Sequence, residues 1–180
     1  MDSLGHDLAL SANGDRFVVG APLLYDPVWP GGLEIKGGVF AYEQDGGIWQ
    51  QMGQDIFGDS INSWAGISVD ISANGDYIAY GAPQAIYSVQ TGPGNVEVLN
   101  WNGNQWERVG RRLFGDTISH QFGYNVSLSD DANVLAVSSR GFVNNTFPVK
   151  VYEFDGVDWT LRGTPITFNG GPEEIVLSSN

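Results

Sequence analysis

Apolar and polar residues alternate over short runs along the chain, and the runs return in the same order. Leu8 and Leu10, Val69 and Ile71, and Val126 and Leu128 each place two aliphatic side chains on one face of a short extended segment. Phe17 to Val19, Ile78 to Tyr80 and Leu135 to Val137 are continuously apolar, as in a strand covered on both faces. Val39 to Glu43, Val96 to Asn100 and Val149 to Glu153 supply a third segment, and a fourth begins at each of Trp49, Trp106 and Trp159. Ser-Ala-Asn-Gly-Asp stands twice between the first two segments, where Asn and Gly adopt positive φ with little strain. Asp45-Gly46-Gly47, Asn102-Gly103-Asn104 and Asp155-Gly156-Val157 are turns of the same kind between the third and fourth. No segment sustains a helical period, so the pattern predicts an all-β chain.

The alternation is part of an internal repeat. GHDLALSANGDRFVVGAP, from Gly5 to Pro22, returns as GISVDISANGDYIAYGAP from Gly66 to Pro83 and more loosely as GYNVSLSDDANVLAVSSR from Gly123 to Arg140. The three Trp anchors are 57 and 53 residues apart, and PEEIVLSSN starts a fourth copy. A four-stranded meander of this length, repeated in tandem with one large aromatic per copy, predicts antiparallel β-propeller blades. A sandwich would not require the same Trp and Gly to return in every meander. The expected organisation is blade 1 at 1–61, blade 2 at 62–118, blade 3 at 119–171 and the first strand of a further blade at 172–180. Closed propellers use about four to eight blades, so three blades and a strand are expected to be completed by the remaining blades of a longer chain or by a second copy. The longer chain is favoured because the last strand repeats one that a two-copy ring would already possess.

Composition narrows the partners. Among 180 residues there are 25 Gly and 8 Pro, and 8 Lys plus Arg against 21 Asp plus Glu give a net charge of -13. That charge repels nucleic-acid phosphates and anionic lipid. No apolar run approaches the roughly 18 residues that span a bilayer, so direct membrane insertion is not expected. With no cysteine there is no disulfide framework, zinc-thiolate site or thiol nucleophile.

Two short elements recur at a fixed separation. Phe122-Gly123 has counterparts in Leu4-Gly5 and Ala65-Gly66, and Gly20-Ala21-Pro22 matches Gly81-Ala82-Pro83, while the third copy has Ser138-Ser139-Arg140. With these elements the chain resembles the FG-GAP repeat, the blade type of the integrin α-chain propeller. In physical terms, Gly lets a neighbouring blade approach the backbone, Ala keeps the contact small and Pro ends the strand. The resemblance implies a non-catalytic recognition module at the cell surface or outside the cell, acting in adhesion or protein binding. It also raises calcium, since such blades often carry an Asp-rich loop between their first two strands. The loops here offer only Asp15, Asp76, Asp130 and Asp131, without DxDxDG-type spacing, so no metal or other cofactor is expected.

The inventory for catalysis is thin, and the chain is expected not to be an enzyme. His6 and His120 are the only histidines; Asp116 and His120 share a loop, and Arg108, Arg111 and Arg112 lie close together without the signs of an Asp box. The longer connections, expected on one face of the propeller, hold the candidate ligand-binding residues Tyr25, Trp29, Trp64, Tyr87, His120, Phe142 and Asn144. Asn144-Asn145-Thr146 fits a glycosylation acceptor. Lectin-like glycan binding is the first alternative and part of a propeller hydrolase the second.

Overall fold

Extended backbone is stable only when its N–H and C=O groups are paired, and each repeat provides most of that pairing within itself. The computed structural model describes residues 3–26, 34–83, 92–118, 120–140, 146–169 and 174–178, and no helix occurs among them. The first repeat forms β1 (Leu8–Leu10), β2 (Arg16–Ala21), the small ribbon β3 (Tyr25–Asp26) and β4 (Glu34–Ile35), then β5 (Gly38–Asp45), β6 (Ile48–Gln51) and β7 (Ile56–Phe57). The second gives β8 (Val69–Ile71), β9 (Tyr77–Ala82), β10 (Asn95–Trp101), β11 (Trp106–Arg108) and β12 (Leu113–Phe114). The third gives β13 (Phe122–Leu128), β14 (Val134–Ser139), β15 (Thr146–Phe154), β16 (Trp159–Leu161) and β17 (Ile166–Asn169).

Three antiparallel sheets result, with orders β1-β2-β5-β6, β8-β9-β10-β11 and β13-β14-β15-β16, stacked as propeller blades with β1, β8 and β13 innermost. Residues 174–178 form no ladder and run beside β13, where Leu177 N donates to Ser127 Oγ at 3.0 Å.

The fourth strand of each repeat is divided, which the alternation did not predict. Gln51 pairs with Tyr42 and Ile56 with Val39, so the outer strand spends two more residues than its partner between the same ladder points. Arg108 to Leu113 and Leu161 to Ile166 repeat the excess. Such a bulge turns a carbonyl out of the ladder. In the first two sheets it points at the next sheet: Trp106 Nε1 donates to Met52 O at 2.9 Å and Trp159 Nε1 to Val109 O at 3.0 Å. The recurring Trp is thus both apolar filler and a hydrogen-bonded latch.

Two apolar cores lie between consecutive sheets. Val18, Val39, Met52 and Ile56 of the first sheet meet Val69, Ile71, Ile78 and Trp106 of the second. Val96, Val98 and Leu113 of the second meet Val126, Leu135, Val137 and Trp159 of the third. The recurring glycines set the closest approach. A Cβ on Gly20 would stand 1.9 Å from Gly66 O, and one on Gly81 would stand 1.9 Å from Gly123 O. The GAP glycine of one sheet therefore seats the FG glycine of the next.

Charge links the same junctions. Asp116 holds Lys150 Nζ at 2.6 and 2.7 Å. Glu97 occupies the place of Lys150 one sheet earlier, where it would face Asp59 as a like charge. Arg112 stands between them, paired with both carboxylates.

The turn between the first two strands of each sheet is closed by its own side chains. Ser11 Oγ donates to Asn13 Oδ1 at 2.8 Å and accepts from Arg16 N at 3.0 Å, while Asp15 N donates to Asn13 Oδ1. Ser72 and Asn74 repeat this, and in the third sheet Asp131 takes the Asn place, accepting from Ser129 Oγ at 2.6 Å. Those bonds, the Ser129 hydroxyl first, hold the Asp131 carboxyl below its usual range. A depressed folded-state pKa contributes stability above the unfolded pKa and loses it as pH falls through the folded one. Asp131→Asn, which copies the other two turns, should therefore leave neutral-pH stability nearly unchanged and flatten the acid limb below about pH 4, as read by thermal midpoint against pH.

Candidate functional site

The innermost strands share no backbone ladder, and polar side chains tie them together instead. Asp7 Oδ2 accepts from Val69 N at 2.8 Å, carrying the first sheet to the second. Ser68 Oγ accepts from Val126 N at 3.1 Å, and Asp70 Oδ2 from Leu128 N at 2.6 Å and Ser127 Oγ at 3.2 Å, carrying the second to the third. These residues occupy the positions that alternate with Val69, Ile71, Val126 and Leu128. In β8 and β13 the face carrying Val69, Ile71, Val126 and Leu128 packs in the apolar cores, while Leu8 and Leu10 of β1 are exposed. The alternate face carries Asp7, Ser68 and Asp70 toward the next sheet.

The inner strands line an axial cleft of about 450 Å³, whose walls include His6, Asp7, Ser68, Asp70, Tyr124, Asn125 and Glu174 beside apolar residues such as Leu8 and Val69. Asp70 is the best-placed reactive group. Burial raises its carboxyl above the usual range, against the lowering effect of bonds from Leu128 N, Ile71 N and the Ser127 hydroxyl. Desolvation and the donors thus act on this carboxyl in opposite directions, with desolvation the larger effect. Among the described residues no group of three or more His, Cys, Asp or Glu side chains is placed to hold a metal ion.

The residues chosen from sequence lie elsewhere. Tyr25 is exposed on β3, and its ribbon is joined to the Trp64 loop through Asn62 N and Ile35 O at 2.5 Å. Trp64 is half-buried at a positive φ of 57°, and His120 is half-buried in the loop that follows the second sheet. Trp29, Tyr87, Phe142 and Asn144 lie outside the described residues. Asp116, considered with His120 as a reactive pair, is engaged by Lys150. Sequence reasoning passed over Asp7, Asp70 and Ser127; the available signal was that the inner strand of each repeat alternates apolar residues with Asp, Ser or Asn.

No family model and no curated protein matches the sequence. Among solved structures the chain is similar to a protein described as a 6-phosphogluconolactonase from Bacteroides uniformis, with 14% identity and a TM-score of 0.53 over 87% of this chain. It is also similar to the periplasmic gluconolactonase of Pseudomonas aeruginosa, with 14% identity and a TM-score of 0.46 over 93% of this chain. The chain spans 39% of the first protein and 58% of the second. At this level of identity the likeness establishes the fold.

These comparisons correct the resemblance to FG-GAP repeats. The solved neighbour with the TM-score of 0.53 is described as a lactonase and not as an integrin-like propeller, and no family model matches. The physical reason is visible in Gly20, Gly66, Gly81 and Gly123, whose contacts seat one sheet on the next and carry no information about a ligand. The expectations of a non-catalytic adhesion module, of a chain that is not an enzyme, and of protein or glycan partners fall with the resemblance.

Proposed function

We propose that this chain forms part of a propeller hydrolase that opens a small cyclic ester, a sugar-acid lactone, in the axial cleft. The reaction class comes from the lactonases that share the fold. The observation that carries the reading is Asp70, a desolvated carboxyl anchored in a polar cleft where three inner strands converge. In this mechanism Asp70 accepts a proton from a water molecule as its oxygen bonds to the ring carbonyl carbon. The ring C–O bond then breaks, and the proton passes to the departing alkoxide oxygen to give the open hydroxy acid. Asp7 and Ser127 hold the strands that orient Asp70. A location outside the cytoplasm, expected from sequence, is kept within this proposal and is tested by fractionating cells that make the protein.

The test is hydrolysis of the δ-lactones of gluconic acid and of its 6-phosphate, followed by pH-stat. Asp70→Asn should lower kcat by at least about 100-fold, the lower bound usual for loss of a general base, with the thermal midpoint showing a folded protein. Because the base acts ionised, the wild-type rate should fall on the acid side, at a pH above the ordinary Asp range, and the variant's residual rate should lose that limb. Undiminished turnover in Asp70→Asn would remove the residue from the mechanism.

A further inference from the structure

The chain is strongly acidic, and its few cations are mostly consumed. Arg16, Lys36, Arg108, Arg111, Arg112 and Lys150 each lie in an ion pair with Asp or Glu. Arg140 and Arg162 have no carboxylate partner among the described residues. Arg140 is held on an aromatic residue instead: its guanidinium lies 4.7 Å from the centroid of the Tyr124 ring, and Nη1 donates to the Tyr124 hydroxyl. Tyr124 lines the axial cleft. An exposed guanidinium held against a cleft-lining residue, with donors left over, is a ready partner for an oxyanion.

The local departure from the repeat explains how the place arises. Arg140 stands where the first two repeats have Pro22 and Pro83, and Ser138 replaces Gly20 and Gly81. Ser138 Oγ accepts from Asn125 N and Asn125 Nδ2, both at 3.0 Å. Ser138 thus carries a Cβ where Gly20 and Gly81 leave room for the facing carbonyls of Gly66 and Gly123.

Building on the lactonase reading, we propose that Arg140, braced on Tyr124 at the edge of the axial cleft, binds an anionic oxygen group of the substrate or product, a phosphate or a carboxylate. The surrounding carboxylates make this cation decisive, since Asp7, Asp70 and Glu174 would otherwise repel an anion from the cleft.

The test uses the full chain, wild type and Arg140→Gln, with Arg140→Lys as the charge-keeping variant. Turnover is measured on the two lactones, and binding of 6-phosphogluconate and gluconate by titration calorimetry. Arg140→Gln should weaken 6-phosphogluconate binding about 10- to 100-fold, the range for a lost charged hydrogen bond, with Arg140→Lys intermediate and thermal midpoints unchanged. If binding of gluconate weakens equally, the group held is the carboxylate; if gluconate binding is unaffected, it is the phosphate. In the phosphate case KM for the phosphorylated lactone should rise by a similar factor while kcat and the KM of the neutral lactone stay constant. Should the wild type open neither lactone, the hydrolase reading fails while the binding comparison still judges Arg140. Equal binding of both acids by wild type and Arg140→Gln, or no binding by either, overturns the assignment.

Discussion

Trp106→Ala is expected to lower the stability of the protein by about 3 to 5 kcal/mol, as for other large-to-small changes at buried aromatics. Trp106 is 4% exposed and lies in the core between the first and second sheets. Removing it opens a cavity, and it also strips Met52 O of its donor, leaving a bulge carbonyl unsatisfied in an apolar setting. The equivalent Trp49 supplies an internal comparison: it is 43% exposed, packs against Phe17 at 4.9 Å, and has no preceding sheet across it among the described residues. Urea unfolding of the two variants should show Trp49→Ala losing less than half as much as Trp106→Ala. Equal losses would mean that the indole contributes through its own sheet and not through the junction.

Gly81→Ala should be more damaging for its size than any other substitution considered, because the added methyl group meets main chain. Its Cβ would lie 1.9 Å from Gly123 O and 2.8 Å from Gly123 C, and neither atom can swing aside as a side chain could. Relief requires β9 and β13 to separate, which unpacks the core between the second and third sheets. The expected loss exceeds the ~1–3 kcal/mol typical of overpacked cores. Gly103→Ala is the control. Gly103 has a positive φ of 95° with nothing within 4 Å of its Cβ position, so only backbone strain of ~1–2 kcal/mol applies. Chemical denaturation of both variants separates the effects, and a Gly81→Ala protein as stable as Gly103→Ala would contradict the contact.

The same glycines show what was legible in the sequence and what was not. Alternation at Leu8, Val69 and Val126 placed the inner strands, and Ser-Ala-Asn-Gly-Asp placed their turns, because strand periodicity and positive φ are local properties. The divided outer strand was not legible. The two extra residues in the stretch from Gln51 to Ile56 have ordinary composition, and their purpose lies in a Trp that is more than fifty residues away. Asp70 was passed over for a related reason: as one polar residue in an alternating strand it looks like any solvent-facing position, and only the convergence of three inner strands places it in a cleft. The FG and GAP elements were read correctly as packing signals and then carried too far, since a contact between two glycines specifies distance and says nothing about chemistry. Ser138-Ser139-Arg140, noted in sequence only as a departure from pattern, becomes informative once Arg140 is seen on Tyr124.

The charged positions at the two junctions have a consequence for the ancestry of the chain. Tandem repeats arise by duplication and can be shuffled by recombination wherever their contacts are interchangeable. Here they are not, because Asp116 meets a lysine whereas Asp59 meets a glutamate that needs Arg112 as intermediary. Exchanging the second and third repeats would set Asp59 against Lys150 and would carry Arg108 and Arg112 along with Glu97, so that Arg112 would lose Asp59, one of its two carboxylates. The two junctions are therefore wired differently even where their shapes are alike, and the present order is the one that gives Arg112 both of its carboxylates.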